Sequence, residues 1–174
     1  LPPEIRKIGS PGIAYGNEIM VGDDKQNPVA TNVEGEILVR GSNVMKGYLE
    51  RPEETAKTIT TDGWLRTGDL GRMDKDGFIY VTGRIKELII KGGENIAPRE
   101  IDEALLEHDA VLEAAAFPRA CKDYGQRVEA CVCLKKGRNV SENELREFCE
   151  GIIGAYKTPD NIYFLDDLPK GPSG

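Results

Sequence analysis

At 174 residues, with 30% charged and 39% hydrophobic side chains, the chain has the size and make-up of one globular domain or two small ones. Its 30 Asp and Glu outnumber 23 Lys and Arg, for a net charge of −7. That argues against a general electrostatic grip on nucleic acid or an anionic membrane, while leaving room for a small basic site. The longest apolar runs are far too short to span a bilayer, and the start lacks the features of a signal peptide.

From Pro11 to about Thr82 the signals are those of strands and turns. Asn17 to Val21 and Gly35 to Arg40 read as short strands separated by the turn-rich Gly22–Asn32. Pro52 introduces a helical stretch to about Ile59. Trp64–Arg66, Leu70–Met73 and Phe78–Val81 read as further strands, the last two joined by Asp74-Lys75-Asp76-Gly77, a hairpin signal. This turn lacks the remaining ligands of a calcium loop. Several antiparallel strands with little helix describe a small β-barrel or sheet that packs on something else, with a break at Thr82-Gly83.

The second half has a different rhythm. Ile85–Ile90 reads as a strand ended by Gly92-Gly93. Pro98 suits the first turn of a helix whose Ile101, Ala104 and Leu105 share a face. Val111–Phe117 reads as a buried strand. Val128, Ala130, Val132 and Leu134 alternate with Glu129, Cys131 and Cys133 at strand period. Ser141 and Glu144 have capping-box spacing, and Leu145, Phe148, Cys149, Ile152 and Ile153 form a helical stripe that reads as core. Asn161–Leu165 gives a last strand. The expected fold is mixed: a small β-barrel-like part over residues 1–83, then an α+β domain over residues 84–174 with two helices on a small sheet.

Four cysteines (Cys121, Cys131, Cys133 and Cys149) lack zinc-site spacing and read as reduced, small hydrophobes, which fits a reducing, cytoplasmic setting. His108 ends a helix, where a cation suits the dipole, and has no catalytic assignment. No metal-ligand cluster, nucleophile–base pair, Walker loop or dinucleotide fingerprint is present. Asp69, between Gly68 and Leu70, either accepts hydrogen bonds from a vicinal diol such as ribose or bonds its own turn. Arg84 either pairs with phosphate or ribose oxygens or forms a surface ion pair. Lys86 is a linker cation, and Gly92-Gly93 is a hairpin turn or a place where an extended ligand passes close to the backbone.

Taken together these blocks resemble a family. Gly35-Glu36-Ile37-Leu38-Val39-Arg40-Gly41, Met45-Lys46-Gly47-Tyr48 with Pro52 and Thr55, Trp64-Leu65-Arg66-Thr67-Gly68-Asp69, Gly83-Arg84-Ile85-Lys86-Glu87-Leu88 and Gly92-Gly93-Glu94-Asn95-Ile96 with Pro98 arrive in the order and spacing of the adenylate-forming superfamily. That superfamily includes acyl-CoA synthetases, luciferases and peptide-synthetase adenylation domains. The resemblance implies a nucleotide contact at Asp69 and Arg84, a hinge at Lys86 and a CoA channel at Gly92 and Gly93. It implies ATP, magnesium, CoA and a carboxylic acid as ligands, in a reaction that passes through an acyl-adenylate to a thioester.

The resemblance also implies that residues 1–83 end a large AMP-binding domain and that residues 84–174 are most of a small mobile one. The family's phosphate loop and acid pocket would precede Leu1, and its catalytic lysine would follow Gly174. The chain by itself is therefore expected to be inactive, a piece of a longer acid–CoA ligase. The absence of a lysine at Ile90 argues against close kinship with luciferases and plant phenolic-acid ligases. Alternatives are an adenylation enzyme that loads a carrier protein and a non-catalytic binding module. Self-association through the uncovered β half is a further expectation.

Overall fold

The computed structural model describes residues 6–170. The chain divides into two compact units, Leu1–Lys86 and Glu87–Gly174. The division falls a few residues beyond the sequence break at Thr82-Gly83, because the last strand of the first unit continues through Arg84.

In the first unit, β1 (Gly12–Ile13), β2 (Asn17–Gly22), β3 (Gly35–Gly41), β4 (Leu65–Met73) and β5 (Phe78–Arg84) form an antiparallel sheet in the order β1-β5-β4-β3-β2. The sheet is open and not a closed barrel. Its edges are the two-residue β1 and β2, and among the described residues they do not pair. The core is modest: Val21, Ile37, Leu38, Phe78 and Ile79 are buried. Helix α1 (Pro52–Thr58) starts on its proline, as expected, and buries no side chain. The β4–β5 turn forms as the sequence indicates. Asp74 accepts from the N–H groups of Asp76 and Phe78, Gly77 takes φ +83°, and Lys7 pairs with Asp74 and Asp76.

The structure departs from the sequence reading around Asp69. Where two short strands with a turn between them are expected, β4 is continuous. Glu36 pairs with Leu70 and Leu38 with Arg66, so Thr67, Gly68 and Asp69 together face Ile37 alone. The segment is a bulge with three residues against one, and Gly68 at φ +74° takes the bend that a side chain would resist. Across β5 a second irregularity follows Leu70, and Asp69 stands opposite Arg84.

In the second unit the strands are β6 (Ile89–Lys91), β7 (Glu94–Ile96), β8 (Val111–Cys121), β9 (Gly125–Leu134) and β10 (Asn161–Phe164). They pair in the order β10-β9-β6-β7, with β8 also on β9, and the β10–β9 pair is parallel. Helices α2 (Pro98–Leu106) and α3 (Glu142–Ile153) supply Ile101, Ala104, Leu105, Leu145 and Cys149 to one core with Ile89, Ile96, Val128, Ala130, Val132 and Ile162. Each fully buried aliphatic side chain in that set is worth roughly 1.5–3 kcal/mol.

The capping box closes as expected, with the Ser141 Oγ accepting from the Glu144 N–H and the Glu144 carboxylate accepting from the Ser141 N–H. Four details differ from the sequence reading. Ile85–Glu87 is a 3-10 turn, so the strand starts only at Ile89, and Ile85 and Ile90 are exposed. β7 is an added strand, and β8 runs on to Cys121. Ile152 is exposed because it lies at the edge of the α3 stripe. None of the described helices is long and apolar enough to cross a membrane.

Candidate functional site

The bulge on β4 is held open by its own hydrogen bonds. Thr67 Oγ1 donates to the Ile37 carbonyl at 2.7 Å and accepts from the Asp69 N–H at 3.0 Å. Glu36 lies beneath, only 7% exposed. One of its oxygens accepts from the Gly68 N–H at 3.1 Å and the other from Arg66 Nε at 3.0 Å. A buried carboxylate needs both a countercharge and full hydrogen bonding, and Glu36 has both. It belongs to the Gly35–Gly41 strand, where the sequence alone assigns it no role. The signal was available as one acidic residue inside an apolar strand.

Asp69 and Arg84, the pair for which the resemblance implies a nucleotide contact, come together as an ion pair at 2.9 Å, Arg84 Nε to Asp69 Oδ1. Both are partly exposed, and Asp69 Oδ2 has no hydrogen-bond partner among the described residues. A carboxylate paired with one arginine, with a free oxygen at the surface, can accept from ligand hydroxyls. Beside this pair lies an open cleft of ≈ 390 Å³, lined among others by Glu36, Tyr48, Lys57, Arg66, Gly68, Arg84 and Lys86. The Tyr48 backbone N–H donates to Thr55 Oγ1 at 2.9 Å, which ties this segment to α1. A Cβ on Gly47, at φ +150°, would sit 2.7 Å from the Thr55 side chain. That contact explains the Gly-Tyr…Pro…Thr spacing physically. Lys86 is exposed on the 3-10 turn and is the last residue of the first unit.

Gly92 and Gly93 form the two-residue loop of the β6–β7 hairpin, since Lys91 pairs with Glu94. Both have positive φ (+57° and +90°), as a type I′ turn demands. The Gly92 N–H donates to the Tyr124 carbonyl at 2.9 Å, and Tyr156 Oη donates to the Lys91 carbonyl. A Cβ on Gly92 would lie 2.9 Å from Tyr156 Oη, whereas one on Gly93 would meet open space. The turn is therefore closed on one side by two partly exposed tyrosines and open on the other.

All four cysteines are free. Burial pushes the Cys149 thiol up to about 11, and it pushes Cys131 and Cys133 up as well. Cys121 differs from an inert hydrophobe. Arg127 donates to its Sγ at 3.3 Å and holds its pKa below the usual thiol range, helped by the N–H groups of Tyr124 and Asp123. His108 lies just past the end of α2. Its Nδ1 accepts from the Ala110 N–H at 3.2 Å. Among the described residues no three acidic, imidazole or thiol side chains converge on a metal position.

Residues 1–49 match the family model described as AMP-binding enzyme, and residues 100–174 match the one described as AMP-binding enzyme C-terminal domain. Together with the bulged Thr-Gly-Asp strand and the α+β second unit, these matches place the chain in the adenylate-forming superfamily of AMP-binding enzymes. Its curated relatives there are named as acid–CoA ligases. The sulfoacetate–CoA ligase of Cupriavidus necator is 49% identical over 100% of this chain and 34% of its own length.

Among solved structures, ATP-bound MatB from Rhodopseudomonas palustris superposes with a TM-score of 0.90 at 34% identity, covering 95% of this chain and 33% of that one. The o-succinylbenzoate CoA synthetase of Bacillus subtilis, in complex with its acyl-adenylate intermediate, gives 0.87 at 40% identity over 99% of this chain and 36% of that one. The chain spans about a third of the length of the curated relatives it matches.

Proposed function

We propose that the chain is the nucleotide-contacting and hinge-bearing part of an ATP-dependent acid–CoA ligase. A substrate carboxylate attacks the α-phosphate of ATP, pyrophosphate leaves, and the CoA thiol then displaces AMP from the acyl-adenylate. The observation that carries this reading is the Asp69–Arg84 pair, set on a bulge with Asp69 Oδ2 free, in a chain whose relatives are acid–CoA ligases. In the proposed role Asp69 accepts from the two ribose hydroxyls, and Arg84, paired with its other oxygen, holds it aimed. Lys86, at the end of the first unit, is the hinge between the two half-reactions. Gly92 and Gly93 let the pantetheine arm pass along a turn free of side chains.

The direct test is carboxylate-dependent exchange of pyrophosphate into ATP by the full-length protein, over an acid panel that includes short dicarboxylates and sulfoacetate. Exchange is expected with at least one acid, and its absence across the panel would sink the proposal. Asp69→Ala should lower kcat/KM for ATP by about 10²-fold, because it removes two hydrogen bonds to a charged acceptor. Replacing CoA by a phosphopantetheinylated carrier protein in the second half-reaction identifies the acceptor. The ligase reading predicts turnover with CoA.

A further inference from the structure

The cleft beside the Asp69–Arg84 pair has more positive charge than that pair uses. Four cations line it, Lys57, Arg66, Arg84 and Lys86, and among the described residues its only lining carboxylate is Glu36. In a chain of net charge −7 that is a local reversal of sign. Two of the four are already matched: Arg66 by Glu36 at 3.0 Å and Arg84 by Asp69 at 2.9 Å. Glu36 is buried with both oxygens engaged, so it cannot turn toward the lysines. Lys57, in the last turn of α1, and Lys86 have no carboxylate within ion-pair distance among the described residues.

We propose that this cleft is a phosphate-binding site in which Lys57 and Lys86 are the principal cations and Arg66 is held in reserve by Glu36. Ammonium groups are compact point charges that suit phosphoryl oxygens, and a concave wall of one sign concentrates its potential on a small anion. A volume of ≈ 390 Å³ accommodates a pyrophosphate or the phosphorylated end of a nucleotide. The proposal rests on the ligase reading only for the source of the phosphate. In that reading there are two sources with the same chemistry: the pyrophosphate released with the adenylate, and the 3′-phosphate of CoA. Lys57 then has a role that its position on an exposed helix would not reveal.

The test is calorimetric titration of the 174-residue chain at low ionic strength with inorganic pyrophosphate and, separately, with adenosine 3′,5′-bisphosphate. At least one should bind, with an affinity that falls as salt is added. Lys57→Gln should weaken that binding roughly ten-fold, the loss of one charge-assisted contact, and Lys57→Glu should weaken it further. Lys75→Gln, on the exposed β4–β5 turn, should leave it unchanged. A preference for pyrophosphate names the leaving group as the occupant, and a preference for the bisphosphate names CoA. Absence of binding by both, or binding that neither Lys57 substitution alters while circular dichroism shows the fold intact, overturns the proposal. Pyrophosphate exchange by the full-length protein alongside such a negative result would leave the ligase reading standing. Lys57-dependent binding without exchange would do the reverse.

Discussion

Asp102 shows how one buried group couples fold to pH. Its carboxylate accepts from the Ala116 N–H at 2.6 Å, and burial raises its pKa to about 6, with the neighbouring Glu103 adding to the shift. The folded state therefore holds the proton more tightly than the unfolded chain. Stability from this group is present below about pH 4 and is lost as pH rises through 6. Such a shift amounts to at most about 3 kcal/mol, and partial exposure cuts it to roughly 1. Asp102→Asn keeps the acceptor and removes the charge. Chemical denaturation should show it more stable than the parent at pH 7 by about that amount, with no difference at pH 3.5.

The glycine turn yields a second prediction at this scale. Gly92→Ala adds backbone strain and a clash with Tyr156, while Gly93→Ala adds strain alone. The first should cost roughly 2 kcal/mol and the second roughly 1. Equal losses in thermal unfolding would show that Tyr156 does not press on the turn.

At the scale of elements, helix α3 depends on its cap. Ser141→Ala removes one half of the reciprocal pair with Glu144 and should lower the stability of the second unit by about 1 kcal/mol, read by calorimetry. This helix was legible in the sequence because a cap and an i, i+3, i+4 stripe are local signals. So were α2 and the alternation of β9, whose Val128, Ala130 and Val132 are all fully buried. The β6–β7 hairpin was legible only in its turn, with Gly92-Gly93 reading as a hairpin turn or a ligand passage. Three-residue strands are too short to show a period, and only pairing across Gly92-Gly93 defines them. The bulge on β4 was misread as a turn for a related reason. Gly68-Asp69 has the composition of a turn, and only the neighbours β3 and β5 make the chain continue straight past it.

At the scale of the whole molecule, the boundary after Lys86 and the proposed hinge make a prediction of their own. Limited proteolysis should cut within Arg84–Glu87 before it cuts β4 or β9, and protection equal to that of the flanking strands would rule out a mobile joint. The open sheet of the first unit, with its small core, was also expected to self-associate. Light scattering showing dimers at micromolar concentration would support that, and monomer throughout would remove it.

Local order in the chain determined most of the secondary structure, the capping box and the family resemblance, because these depend on residues a few positions apart or on blocks in fixed sequence. Tertiary structure alone decided that Asp69 and Arg84 form one pair, that Glu36 supports the bulge from beneath, and that Lys57 joins Lys86 on the same cleft. Each of those relations links residues from 15 to more than 30 positions apart, and only pairing and packing between separate elements brings them within reach.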